Sequence, residues 1–463
     1  MIFVKEADFK NRAPLYHDLF MKKYFNTTLG FYESPFFRLK VNTTPTSLDM
    51  SQMKESDAAV FIHEYIHFLQ AITTIYGLNQ LHITVEYFRD ANNVIYSCPK
   101  PGPFQVPINP EITRGKNVYF NFAIFSRTKG DTQDFDNVTL TKEPEIFKEE
   151  IDPTCAVPFI HSIVLSFRNA ATGEGLYSFG AACIMESMAY MLEQYISPNG
   201  YEKSPDLPYN SAMLVAKKIY PAFARDPLNV LALCDLSLLT TNPGLFFVCI
   251  LNEWKKSGQI PVNPEFLYHY FYQLEWQPMC SRAGTIDLLL QDMLKLVKVQ
   301  LFEYLKPDDD PNSIWSIRVN KIRTWITEIL NSASMWRTKH KTFILDLARG
   351  GTRLNNETFK DIYNDFGIPF CMNKAGAAFI YHKSFGTEKP NLDYLVAIGQ
   401  IFRTFNGNKD RCELFPLCKM SGKKTPDKLC ETPWLMHLSE KNLCPYALVW
   451  HHWNLDGYTP DFQ

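Results

Sequence analysis

Between Ser56 and Gly77, apolar and aromatic side chains recur at Phe61, Tyr65, Phe68, Ile72 and Tyr76. This is the spacing of one buried helical face. His63, His67, Gln70 and Thr74 form a second stripe beside it. The pattern predicts a single helix over Ser56–Gly77, with Ser56 as N-cap and Gly77 just past the end. A second helix is expected over Leu78–Ser97. Upstream, Phe36–Val41 alternates as a strand and stops at the turn-rich Asn42-Thr43-Thr44-Pro45.

Downstream, Pro-rich Cys98–Pro110 is followed by Asn117–Ser126 and Asn137–Leu140, both with strand character. Residues 98–165 therefore read as a β-containing insertion, suited to a lid or exosite, between two halves of a helical core. From about 166 to 305 the pattern turns helical. Gly180–Ile196 is strongly periodic and stops at Ser197-Pro198-Asn199-Gly200. Further helices fit Ser211–Phe223, Pro227–Leu239, Leu245–Lys256, Pro264–Leu274 and Thr285–Leu305. The acidic, Pro-flanked segment 306–312 is the best candidate linker. Ile314–Leu347 and Asn391–Phe405 predict more helices beyond it.

Composition narrows the class. The 463 residues are 46% hydrophobic and 14% aromatic, enough for a large packed core. Basic and acidic residues nearly balance, 47 against 49, which argues against a nucleic-acid binder driven by phosphate contacts. Met1–Glu6 shows no basic region followed by a long apolar run, so no signal peptide is expected. No uncharged apolar stretch of about 18 residues is present, so no membrane span is expected. Eleven cysteines without a signal peptide point to reduced thiols or metal ligands and a cytoplasmic setting.

The candidate chemistry lies in His63-Glu64-Tyr65-Ile66-His67. Two histidines four residues apart project from one helical face and can share a metal ion. Glu64 sits about 100° further round, where its carboxylate reaches a metal-bound water without being a ligand. With the ion lowering the water pKa to about 7, Glu64 can act as general base.

A third ligand must come from elsewhere. Gln70 and Thr73 replace the Gly and His of a HExxHxxGxxH pattern, and Glu86 and Asp90 lie in an ordinary charged stretch. Glu186 is the better candidate. It is a lone carboxylate among Ile, Met and Ala, costly to bury without a cation. Small residues at 180–182 would let its helix approach the histidines. Glu193, Glu174 and His161 are the rivals. For an oxyanion donor, Tyr177, Tyr190, His161 and His82 stay open.

In this motif the chain resembles the zincin superfamily of metallopeptidases, and the helix around Glu186 is similar to the second motif of gluzincins. That resemblance implies His63, His67 and Glu186 as zinc ligands and Glu64 as base. It departs in the long separation of the two motifs and in Tyr190 standing where an acid would follow.

Cys412, Cys418, Cys430 and Cys444 cluster near the C-terminus and could close a second, structural zinc site, although no CxxC pair is present. The alternative is four reduced thiols packed among Phe415, Leu417, Leu443 and Trp450.

The expected fold is mainly α (α+β): a zincin-like region over 1–305 with a small N-terminal sheet, a helical region over 313–410 and a Cys-rich segment over 411–463. The expected function is a zinc peptidase acting on a restricted protein target, with a regulatory partner conceivable. The alternatives are a hydrolase of a non-peptide amide and an inactive binding scaffold on the same fold.

Overall fold

The histidine stripe lies on a shorter helix than its periodicity predicts. In the computed structural model the histidine helix spans Glu55–Thr73, with Lys54 as N-cap, and a separate helix spans Ile75–Tyr96. Thr74 is extended (φ −121°, ψ 153°) and breaks the run. Its hydroxyl accepts the Gly77 N–H at 3.0 Å and caps the second helix. Gly77 is thus not a helix stop. A Cβ there would lie 2.5 Å from Ala71 Cα and from the Gln70 carbonyl oxygen, so only glycine lets the second helix fold back this tightly. Because both obstacles are backbone, Gly77→Ala is expected to destabilise the fold by about 1–3 kcal/mol, measured by denaturant unfolding.

The described residues are 5–6, 30–41, 49–108, 116–150, 159–200, 203–276, 283–373, 378–385, 393–420, 428–438 and 444–462. Helix dominates them, with small sheets between, as the mainly α (α+β) expectation has it. The expected helices appear with modest shifts: Ala181–Ile196 (the glutamate helix), Ser211–Ile219, Pro227–Leu238, Pro243–Ser257, Pro264–Tyr272, Ile286–Tyr304 and Asp393–Phe405. Ile314–Leu347 divides into Ile314–Lys339 and Phe343–Arg349.

Two further expectations are overturned. Asn117–Ser126, read as a strand, lies within the helix Lys116–Lys129. Its aromatic run favours strand locally, but a short apolar run is ambiguous between the two states. Tertiary contact decides it: Phe125 is buried and stacks on Tyr76 at 5.3 Å, and Asn121 donates to Glu86. The helical stretch placed from 166 onward is extended up to Phe179. Strands Phe159–Asn169 and Gly173–Phe179 form a hairpin, with Ile163, Leu165 and Phe167 buried on one face. The hairpin joins Glu145–Glu150, Val138–Leu140 and Lys5–Glu6 in one five-stranded sheet.

A four-stranded sheet lies against the histidine helix. Its order is Ala378–Tyr381, Ile368–Asn373, Arg38–Val41 and Gly30–Glu33. The central pairing is parallel and joins residues more than three hundred positions apart, Arg38 opposite Phe370 and Val41 opposite Asn373. The segment 306–312 turns between two helices that pack along each other, and Trp315 Nε1 donates to the Lys306 carbonyl within it. One contiguous apolar core runs from Phe36 to Tyr458.

Where the histidine helix ends, a buried ion pair holds the chain. Arg337 and Asp235 are both fully buried. Arg337 Nη1 donates to Asp235 Oδ2 at 2.7 Å, Arg337 Nε donates to the Thr73 carbonyl at 2.9 Å, and the Tyr268 hydroxyl donates to Asp235 Oδ2 at 2.8 Å.

Candidate metal centre

His63 and His67 project from the buried face of the histidine helix, each 8% exposed, with ring centroids 4.9 Å apart. The glutamate helix packs alongside. Gly180 does not make this approach. An added Cβ there would meet Thr128 O at 2.4 Å and Gly130 N at 2.6 Å, so its smallness serves the entry from strand to helix. The two helices meet further along, where Gln70 Nε2 donates to the Met185 carbonyl at 3.0 Å.

This places Glu186 Oε2 3.1 Å from His63 Nε2 and 3.4 Å from His67 Nε2. One ligand atom from each residue lies within 4.8 Å of the other two. Among the described residues no other set of His, Cys, Asp and Glu does this.

The outer nitrogens are also engaged. His63 Nδ1 lies 2.9 Å from Glu193 Oε2, and His67 Nδ1 lies 2.8 Å from Gln70 Oε1. Gln70 can only present its oxygen to His67, because its amide nitrogen must donate to the Met185 carbonyl. Both imidazoles are thereby fixed with Nδ1–H donating outward. Their Nε2 atoms then face the Glu186 carboxylate, an arrangement that needs either a proton or a metal ion between nitrogen and oxygen. Two imidazoles, each held by a neighbour, and one carboxylate can hold a metal ion.

The electrostatics agree. Burial acts to raise the Glu186 pKa, but His67 and His63 outweigh it and hold the carboxyl well below its usual range. Burial acts to lower the His63 pKa, yet Glu186 and Glu193 push it well above the ordinary imidazole value. With no ion bound, protonated imidazoles pair with Glu186, and a metal ion at the same point would displace those protons.

Glu64 stands apart from the ligands. It is 6% exposed, and its Oε2 has no hydrogen-bond partner among the described residues. Burial pushes its pKa up to about 7, with His67 and His63 pulling the other way. Gly30 backs onto it: a Cβ there would come within 2.8 Å of Glu64 Cγ and 2.9 Å of Oε1.

Of the rivals for third ligand, Glu193 turns to the far side of His63 and orients it. Glu174 is exposed in an ion pair with Arg168, and His161 lies on the Phe159–Asn169 strand beside Lys148. Among the open oxyanion donors, Tyr177 donates to the Asp131 carbonyl at 3.0 Å, and His82 is engaged by Gln300 and Glu86. Tyr190 accepts the Ser204 N–H at 3.4 Å and packs edge-on against Tyr209. Tyr209, 5.8 Å ring to ring from His63, was invisible in the sequence. So was the role of Gly30. The parts of Gln70 and Glu193 had a signal, one turn beyond His67 and two turns beyond Glu186.

Glu193→Gln and Gln70→Ala are each expected to weaken metal binding by about 10–100-fold with the fold intact, read by competition with a metal-buffering chelator. No protein-family model, no curated protein and no solved structure matches this chain.

Proposed function

We propose that the chain is a zinc-dependent peptidase of the zincin type, acting on a restricted protein target. The observation that carries this is the convergence of His63, His67 and Glu186 on one point, with the Glu64 carboxylate oxygen that has no partner among the described residues beside it. A purely structural site has no use for that carboxylate. The donor set suits zinc in preference to Mg²⁺ or Ca²⁺, which favour all-oxygen ligands.

His63, His67 and Glu186 would hold the ion. When bound, zinc supplies Lewis acidity toward a carbonyl and makes water acidic near neutrality. Glu64 Oε2 takes the proton of the attacking water and returns it to the leaving amine nitrogen. Glu193 and Gln70 keep the imidazole faces fixed while this happens. Glu186, with 23% of its side chain exposed, marks the side open to solvent and substrate.

A peptide is favoured over other amides by the sheet beside Glu64. Gly30–Glu33 is one of the two outer strands of the four-stranded sheet among the described residues and passes Glu64 at Gly30. An extended peptide can add to such an edge through main-chain hydrogen bonds. Gly30→Ala is expected to displace the Glu64 carboxylate and lower kcat about tenfold or more, with zinc content unchanged, because a misplacement of about 1 Å can cost 10²-fold.

The test of the proposal is profiling of new protein N-termini in cells expressing the wild type or Glu64→Gln, together with zinc analysis of both purified proteins. Cleavages present only with the wild type, at equal zinc content, support the peptidase. Identical N-terminal profiles reject it. No helix among the described residues is long and apolar enough to cross a membrane.

A further inference from the structure

The helices Ile286–Tyr304 and Ile314–Lys339 pack along each other and leave a groove of about 660 Å³ between them on the solvent side. The first helix lines it with residues that recur every three or four positions along one face, from Gln291 to Phe302. The second lines it in the same rhythm, from Asn331 to Lys339. Between residues 291 and 302 the groove runs about 16 Å, or about three helical turns.

Its floor is apolar. Leu294 is buried and Phe302 half-buried, while Val299 is 50% exposed and Met335 41% exposed. Its rim is basic: Lys295, Lys298 and Lys339 line it, and no Asp or Glu does. Asp292 and Glu303, the acids on the same stretch of the first helix, do not line the groove. None of the three lysines forms an ion pair among the described residues. Lys298 Nζ donates to the neutral Asn331 Oδ1 at 2.5 Å, and burial pushes its pKa below the ordinary amine value. At one end Arg323 lays its guanidinium over the Phe302 ring at 4.7 Å and adds a further cation.

We infer that this groove docks an acidic amphipathic helix of a partner protein, whose apolar stripe covers Leu294, Val299, Phe302 and Met335 and whose carboxylates meet the three lysines.

Charge and shape select that occupant. Cations without counter-charges around an apolar strip are complementary to carboxylates that flank an apolar stripe. A trough between two packed helices accepts a third, and anchors three or four residues apart then fall into it. The open exposure of Val299 and Met335 disfavours an acyl chain, which is held in an enclosed pocket. A nucleic-acid backbone would leave the apolar floor uncovered. The second helix is free to serve as a docking element because its stabilising contacts lie on another face, where Arg337 reaches Asp235 and the Thr73 carbonyl. The inference holds whether or not the chain is a peptidase.

The test uses the full-length protein and a fluorescein-labelled synthetic helical peptide with Leu at every third or fourth position and Glu on both flanks of that stripe. Fluorescence anisotropy is expected to show saturable binding, weakened by about tenfold or more when Lys replaces every Glu or when the same residues are scrambled. Lys295→Glu with Lys298→Glu should weaken the acidic peptide by a similar factor, keep the melting temperature and gain affinity for the Lys peptide. If that double variant fails to fold, Met335→Glu, at an exposed position, gives the same reading for the acidic peptide. A benzophenone on the apolar stripe should crosslink within the two helices. No saturable binding, equal binding of the acidic and basic peptides, undiminished binding by the variants, or a crosslink elsewhere overturns the inference. So does binding to phosphatidylglycerol vesicles in preference to the peptide, which would assign the groove to a lipid surface, or a dimer of the chain that the double variant dissolves. None of these outcomes bears on the metal centre, whose residues lie on other helices.

Discussion

Glu64→Gln is expected to keep its zinc and lose turnover by a factor on the order of 10²–10⁴, the usual contribution of a positioned general base. The amide has nearly the shape of the carboxylate, so the packing against Gly30 persists. His63, His67 and Glu186 are untouched, and so are the Glu193 and Gln70 contacts that orient the two imidazoles. What disappears is an oxygen able to accept a proton. The change also removes a carboxylate whose burial pushes its pKa up to about 7, so the melting temperature should not fall. Zinc content by elemental analysis and cleavage of an identified substrate provide the two readings. Turnover within about tenfold of wild type would remove Glu64 from the chemistry. Loss of zinc would mean that the carboxylate is itself needed to hold the ion.

Arg337→Met should have the largest effect on stability. It leaves Asp235 fully buried with no cation and takes away the donor to the Thr73 carbonyl. Breaking a buried pair from one side costs about 3–5 kcal/mol, because the remaining charge keeps its desolvation penalty. The Tyr268 hydroxyl still reaches Asp235 but carries no charge. The double change Arg337→Met with Asp235→Leu is expected to recover much of the loss, since the stranded charge is gone. Urea unfolding of the single and double variants measures this. A single variant that loses less than about 1 kcal/mol would show the pair to be energetically idle. Because Thr73 ends the helix that carries both histidines, zinc affinity should weaken in the single variant as well.

The centre was legible in the sequence because its signals are local. Two histidines one turn apart announce a shared target, and a lone acid among Ile184, Met185 and Ala189 announces a missing cation. Features that depend on distant partners were not legible. Nothing near Gly30 reports that its strand will run past Glu64, because that placement depends on Arg38–Val41 pairing with Phe370–Asn373. The aromatic run at 118–125 carries strand propensity and becomes helix only because Tyr76 and Glu86 offer partners. The break at Thr74 was hidden by Gly77, whose usual role as a helix stop masks its use here for close packing.

The parallel pairing at the centre of the four-stranded sheet also bears on synthesis. The strand beside Glu64 is secured through Arg38–Val41 to Phe370–Asn373, and the Tyr65 hydroxyl is anchored on the Gly367 carbonyl. A ribosome reaches those anchors only after most of the chain has been translated. Until then both imidazoles and Glu186 are already in the nascent polypeptide, but the wall behind Glu64 is missing. On the proposed function, hydrolytic competence is therefore expected to arrive only with these late segments.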